Sequence, residues 1–162
     1  MKAFTTLSQR KRLTLIELMI SLVILSILAS AVLPLSRMTV RRSKELELRK
    51  NLREIRTAID RFKKDWDDKK IVRTAAAVAD EMTGYPQKLD VLVSGGPSAT
   101  DNGPAFKYLR RVPRDPFTGS TEWGFKCYED AADSTSWCGK NVYDVYSQSD
   151  ETAIDGSHYA DW

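Results

Sequence analysis

The chain has 162 residues, with 25 Lys and Arg against 22 Asp and Glu and a formal net charge of +3. That length leaves room for one modest globular domain beyond an apolar N-terminal stretch. The excess positive charge lies in residues 1–12, because without Lys2, Arg10, Lys11 and Arg12 the remainder has 21 basic and 22 acidic side chains. The overall charge therefore does not indicate a nucleic-acid-binding protein.

The segment Leu13–Leu35 is apolar except for Glu17. As a helix rising about 1.5 Å per residue, it is long enough to cross a bilayer core of roughly 30 Å. The positive residues before it predict that residues 1–12 lie in the cytoplasm and that the rest of the chain lies across the membrane. Two other interpretations stay open: a plain signal anchor, or a secretory signal cut near Ala29-Ser30-Ala31.

The sequence Leu13-Thr14-Leu15-Ile16-Glu17-Leu18, with Pro34 further on, resembles the start of mature type IV pilins and type II secretion pseudopilins. The resemblance implies cleavage by a prepilin peptidase between Arg12 and Leu13. It also implies that Glu17 pairs with the new ammonium group of a neighbouring subunit. The chain departs from the family in having Arg12 where glycine is usual and Leu13 where phenylalanine is usual, so processed and unprocessed forms both stay open.

Beyond the apolar segment, one helical stripe continues at spacings of three and four. Its members are Leu48, Leu52, Ile55, Ile59, Phe62 and Trp66. Together the two segments predict a helix of roughly 50 residues, interrupted or loosened at Pro34. Residues 69–83 favour a second helix or a continuation of the first, since alanine has high helix propensity. Residues 88–93 suit a short helix, and residues 94–104 read as a loop.

From Phe106 onward, short alternating runs between turn residues predict an antiparallel sheet of about three strands. The runs are Phe106–Val112, Thr121–Tyr128 and Asn141–Tyr146. The predicted fold is therefore α+β, with a long N-terminal helix packed on a small antiparallel sheet, as in pilins. The corresponding domains are a leader at 1–12, a transmembrane and filament-core helix at 13–35, and a periplasmic globular domain at 36–162.

Landmarks in the second half resemble, in order, the major-pseudopilin branch of that family. They are Tyr85-Pro86, Tyr108-Leu109, Pro113, Asp115-Pro116, the run Tyr143–Ser147 and Asp161-Trp162. This resemblance implies a structural subunit in the bacterial inner membrane that polymerises into a periplasmic pseudopilus and drives protein export. The implied partners are further copies of the chain, minor pseudopilins, an inner-membrane assembly platform and the prepilin peptidase, with no nucleic acid expected. The alternatives are a type IV pilus subunit and a membrane-anchored binding module that does not polymerise.

Charge is unevenly distributed along the chain. Residues 37–73 contain 14 basic and 7 acidic side chains, whereas residues 101–162 contain 6 and 11. Subunits could therefore attract one another through unlike surfaces, although a solvated helix face followed by an acidic loop would give the same pattern.

Cys127 and Cys138 would lie outside the cytoplasm in this topology, where a disulfide is expected. Free thiols or a metal-binding pair are the alternatives. His158 is the only histidine and has no catalytic motif around it, so we do not expect an enzyme.

Asp150, Glu151 and Asp155 lie close together among serines near the end of the chain. Carboxylates on a flexible loop suit calcium, and the family resemblance implies a calcium site here with Asp150 and Asp155 as ligands. The chain departs from the family because the preceding loop is short and the later aspartate pair is out of register. An ordinary acidic loop is the alternative.

Overall fold

A computed structural model describes residues 14–73, 78–99, 103–131, 134 and 136–162, apart from the side chains of residues 31–35. The order of elements is helix α1, Leu15–Asp67; helix α2, Leu89–Ser94; strand β1, Gly124–Lys126; strand β2, Asp144–Tyr146; and a 3₁₀ turn, Tyr159–Asp161. The fold is α+β, with a long helix packed on a small antiparallel sheet, as the sequence predicts.

Helix α1 contains 53 residues and runs without a break through position 34, so the interruption predicted there is not observed. The chain divides into two compact units, Met1–Val40 and Arg41–Trp162, and the boundary falls within α1. The first unit contributes helix alone among its described residues, whereas the second contains the core, the sheet and α2.

No helix in the described part of the chain carries a stretch long and apolar enough to cross a membrane. The prediction of a transmembrane helix at 13–35 is therefore wrong, and so is the single-pass inner-membrane localisation derived from it.

The core of the second unit forms around the predicted stripe of α1, whose six members are all buried. They pack with apolar residues contributed by α2, β2 and the connecting segments, among them Leu92, Trp123, Val142, Val145 and Tyr159. Because the stripe repeats every three or four residues, one face of the helix supplies a continuous apolar surface. The opposite, charged faces remain exposed.

The sheet has two strands rather than the predicted three. Strands β1 and β2 are antiparallel, with Phe125 opposite Val145. In the segment 106–112, only Phe106 makes a bridge, to Gly96. The amides of Tyr108 and Leu109 both donate to the carbonyl of Leu92 at the end of α2, so the helix takes the donors that a third strand would need.

The described parts of residues 69–83 are not helical, contrary to the prediction. Lys69 has a φ of 58°, which ends the right-handed helix just beyond Asp67. Ile71 then bridges to Ser98, and Ala79 bridges to Pro86. Both bridges hold the backbone in non-helical pairing, against the helix propensity expected from the composition. Residues 74–77, which include three of the four alanines, lie outside the described residues. The predicted short helix at 88–93 is confirmed as α2.

Candidate assembly surface

The first part of α1 exposes apolar side chains on every face. Eleven large apolar residues between positions 15 and 28 are each 52–79% exposed: Leu15, Ile16, Leu18, Met19, Ile20, Leu22, Val23, Ile24, Leu25, Ile27 and Leu28. A helix that is apolar all round is ordinarily buried. Contiguous exposed apolar patches larger than a few hundred Å² generally mark an interaction surface. We call residues 15–30 the apolar segment.

The serines of the apolar segment do not need partners from outside the helix. The hydroxyl of Ser21 donates to the Glu17 carbonyl at 2.7 Å, that of Ser26 to the Leu22 carbonyl at 2.8 Å, and that of Ser30 to the Ile27 carbonyl at 2.7 Å. Covering the segment would therefore leave no serine hydroxyl without a hydrogen bond. Glu17 is the remaining polar side chain of the segment.

Glu17 lies in the first turn of α1, at the third helical position after Thr14. Its amide donates to the Thr14 hydroxyl at 3.3 Å, which makes Thr14 the N-cap. The pattern Thr-x-x-Glu is that of a capping box, and a negative charge is favourable at a helix N-terminus. In the described chain, no side chain pairs with the Glu17 carboxylate, so it is available to a partner.

The other assembly and processing residues predicted from the sequence are only partly described. Arg12 and Leu13 lie outside the described residues, and so does the Pro34 side chain. The pairing of Glu17 with a neighbouring ammonium group is accordingly still a prediction.

The predicted disulfide between Cys127 and Cys138 is confirmed, with an S–S distance of 2.02 Å. Asp130 lies beside it and accepts a hydrogen bond from the Cys127 amide at 2.7 Å. These three residues form the one group of metal-ligand type found in the described part of the chain. Because the sulfurs are bonded to each other, neither is a thiolate able to bind a metal.

The two predicted calcium ligands differ in their surroundings. Asp150 is exposed and has no partner within the described structure. Asp155 accepts hydrogen bonds from the Ser157 amide and hydroxyl on one oxygen, and its other oxygen lies 3.5 Å from Arg49. The Ser157 hydroxyl is the main reason that the pKa of Asp155 is lowered. The fit to calcium is therefore partial, since a cation would have to displace Arg49.

A row of side chains on α1 that the sequence analysis did not identify binds residues 147–162, which we call the C-terminal segment. Arg41 donates to the Tyr159 hydroxyl and to the Thr152 carbonyl. The Tyr159 hydroxyl in turn donates to Glu45 at 2.9 Å, and the Ile154 amide donates to the same carboxylate oxygen at 2.8 Å. We call this row, which continues through Arg49 and Arg56, the polar clamp.

Arg49 and Arg56, the last two members of the polar clamp along α1, both contact Trp162. Arg49 lies 4.1 Å from the centre of the Trp162 ring. Arg56 binds both carboxylate oxygens of Asp144, at 2.6 and 3.2 Å, and also donates to the main-chain oxygens of Val145 and Trp162. The spacing of four between Arg41, Glu45 and Arg49 indicates one helix face, but their partners lie about a hundred residues away.

Asp115 and Ser147, both singled out in the sequence analysis, meet in the interior. Asp115 is fully buried and accepts hydrogen bonds from the amides of Phe117 and Thr118 and from the hydroxyl of Ser147. The indole of Trp123 donates to the Pro113 carbonyl at 3.0 Å. The turn that contains Pro113 and Asp115 is thus hydrogen-bonded to Ser147, the residue directly after β2, and this contact positions the start of the C-terminal segment.

No family model, curated protein or solved structure matches the chain.

Proposed function

We propose that the chain is a structural subunit that assembles with copies of itself into a pilin-like filament, and that this filament is a pseudopilus of a type II secretion system. The observation that carries the proposal is the apolar segment, which is exposed on all faces and has Glu17 as its one charged side chain. The order of landmarks from Tyr85 to Trp162 favours the pseudopilin branch over other pilins.

The energy available from covering this segment is large. Burying a large apolar side chain contributes roughly 1.5–3 kcal/mol, and eleven such side chains are exposed. A single partner would cover only one side of the helix. Several neighbouring copies, packed around the segment as in a filament core, would cover all of it.

Glu17 supplies what apolar packing lacks, which is a preferred register. Burying an unpaired carboxylate is unfavourable, so copies are expected to align where Glu17 meets a positive group. The ammonium group of a cleaved neighbouring chain is the partner that we propose. Misaligned copies would bury the carboxylate without a partner.

The test compares filament formation by the unmodified chain with that of Glu17→Ala and Glu17→Gln. Glutamine can still act in a capping box but has no charge, so both variants should fail to form ordered filaments if the charge sets the register. Glu81→Ala, which removes an exposed carboxylate elsewhere, is the matched control. Normal filaments from Glu17→Gln, seen by electron microscopy of expressing cells, would limit Glu17 to helix capping.

Deleting the gene for this protein distinguishes a role in secretion from a role in a type IV pilus. A pseudopilus subunit should be needed for protein export, whereas a type IV pilus subunit should be needed for motility, adhesion or DNA uptake. Loss of motility with intact secretion would therefore replace the pseudopilus by a pilus.

A further inference from the structure

One face of the second unit carries a concentration of unpaired basic side chains. Helix α1 contributes four of them and the segment after residue 103 contributes two. They line two grooves of about 370 and 470 Å³ that share Arg61 and Tyr108. We call this set the basic face: Lys50, Arg53, Arg61, Lys64, Lys107 and Arg110.

The basic face is not neutralised by its own surroundings. None of its six members forms an ion pair with a described residue. The acids in the two grooves are Glu54 and Asp65. Asp65 already accepts hydrogen bonds from Lys70 at 2.9 Å and from the Tyr108 hydroxyl at 3.1 Å, so Glu54 is the remaining acid of these two grooves. Lys50 also lines a neighbouring groove with Glu47 and Asp90 but forms no ion pair with either.

The complementary charge lies in the same chain. Residues 115–162 contain ten acidic and two basic side chains. Several of these acids are engaged, because Asp115 is buried and the polar clamp pairs with Asp144, Glu151 and Asp155. Asp150 and Asp161 are exposed and have no partner in the described chain.

The backbone brings these two aspartates to one end of the C-terminal segment. Thr152 bridges to His158 in antiparallel fashion, and the Tyr159 amide donates to the Glu151 carbonyl. Asp150 directly precedes Glu151, and Asp161 lies two residues after Tyr159 in the 3₁₀ turn, so both aspartates lie near this hydrogen bond. We call Asp150 and Asp161 the acidic end.

We propose that the basic face of one copy docks on the acidic end of the next copy. The inference rests on the proposed filament function and supplies its lateral contact. Charge complementarity favours a second copy as the partner, because every subunit carries one basic face and one acidic end, both exposed and without ion pairs in the described chain. An interface between two different surfaces is heterologous, and it produces an open polymer when its rotation does not close a ring.

The test is charge exchange in the full chain, kept dispersed in mild non-ionic detergent with chelator present so that Asp150 acts only as a charge. Arg61→Glu with Arg110→Glu, and separately Asp150→Lys with Asp161→Lys, should each weaken self-association roughly tenfold, since reversal converts attraction into repulsion. Mixing the two double variants should restore association. Lys88→Glu, an exposed basic residue outside both grooves, is the matched control and should leave association unchanged.

The salt dependence of self-association is a second test of the docking contact. Raising ionic strength from about 0.1 to about 1 M shortens the screening length from about 10 to about 3 Å, so association of the unmodified chain should fall. The proposal is overturned if the mixed variants stay apart, if Lys88→Glu has the same effect, or if salt has none. It is also overturned if the basic-face variant loses binding to duplex DNA but keeps normal self-association, because the face would then serve another polyanion.

The two proposals fail separately. Filaments that need Glu17 but tolerate both charge reversals would overturn the docking contact and leave the proposed function standing. Restored association in the mixed variants, with normal filaments from Glu17→Gln, would support the docking contact and remove the role of Glu17 in register.

Discussion

Arg56 is the strongest member of the polar clamp, and its replacement by alanine should destabilise the second unit. Its guanidinium binds both oxygens of Asp144, and also the main-chain oxygens of Val145 and Trp162. The side chains of Arg56 and Asp144 are 40% and 35% exposed, so solvent weakens the pair. A hydrogen bond to a charged group contributes about 1.5–3 kcal/mol. With this exposure we expect a total loss of about 2 kcal/mol.

The measurement is a thermal melt of the full chain followed by circular dichroism. For a domain of this size, a loss of about 2 kcal/mol corresponds to a Tm decrease of about 6–8 °C. Arg56→Lys should recover only part of the loss, because an ammonium cannot bind both carboxylate oxygens in the same fork geometry. Arg61→Ala, on the same helix but without a described partner, is the control. A Tm unchanged in Arg56→Ala, or lowered equally in Arg61→Ala, would refute the assignment of the clamp to stability.

Three further changes should be measurable on the same protein. Reduction of the Cys127–Cys138 disulfide, whose partners are 11 residues apart, should lower stability by about 3 kcal/mol in the chain-entropy model without changing the oligomeric state; covalent dimers on a non-reducing gel would contradict an intrachain bond. The pKa of Asp80 is lowered, chiefly by the Thr83 hydroxyl, so its contribution to stability is present above the unfolded pKa of about 3.9 and lost as the pH falls through the folded pKa. Asp80→Asn should flatten the acid side of a pH-dependent melt, and an unchanged profile would exclude that contribution. Calcium, but not magnesium, should raise the Tm if Asp150 and Asp155 bind it, and Asp150→Ala should abolish the rise; coinciding melts in calcium and in chelator would withdraw the site.

The long helix and its buried stripe follow from local spacing, which is why they could be predicted. Leu48 through Trp66 repeat at three and four residues, and such a repeat specifies a buried face whatever packs against it. The same holds for α2, which is short but bounded by clear turn residues. The disulfide was predicted because both cysteines were expected to lie outside the cytoplasm; the bond is confirmed, although the membrane topology from which it was predicted is not.

The missing third strand, the missing helix at 69–83 and the overlooked role of Arg56 share a physical cause, because each depends on a partner elsewhere in the chain. The segment 106–112 has the alternation of a strand, but the Leu92 carbonyl takes the amides of Tyr108 and Leu109. Residues 69–83 have helical composition, but Ile71 and Ala79 pair with residues further along the chain. The role of Arg56 was likewise invisible, since its spacing on α1 carries no information about Asp144.

Glu17 has a local role that the sequence analysis did not identify. The sequence analysis noted it only as the charged exception in an apolar segment, although the pattern Thr14-x-x-Glu17 is a local signal for a helix start. The structure has Thr14 as the N-cap and Glu17 in the first turn. The Glu17 carboxylate is therefore favourable at the N-terminus of an isolated chain's helix. It needs a positive partner only when the apolar segment becomes buried.

The two surfaces proposed for assembly have complementary physical roles. Apolar burial is non-directional and scales with area, so the apolar segment can supply affinity but cannot by itself fix how far one copy slides along another. Charged contacts contribute less affinity, yet a misplaced charge is penalised, so Glu17 and the basic face can supply register. Truncating Leu22 and Leu25 to alanine should therefore reduce how much polymer forms while leaving its order intact. Reversing Arg61 and Arg110 should weaken association, as predicted above, and should also leave the remaining polymer disordered, so the two kinds of variant would differ in filament images as well as in yield.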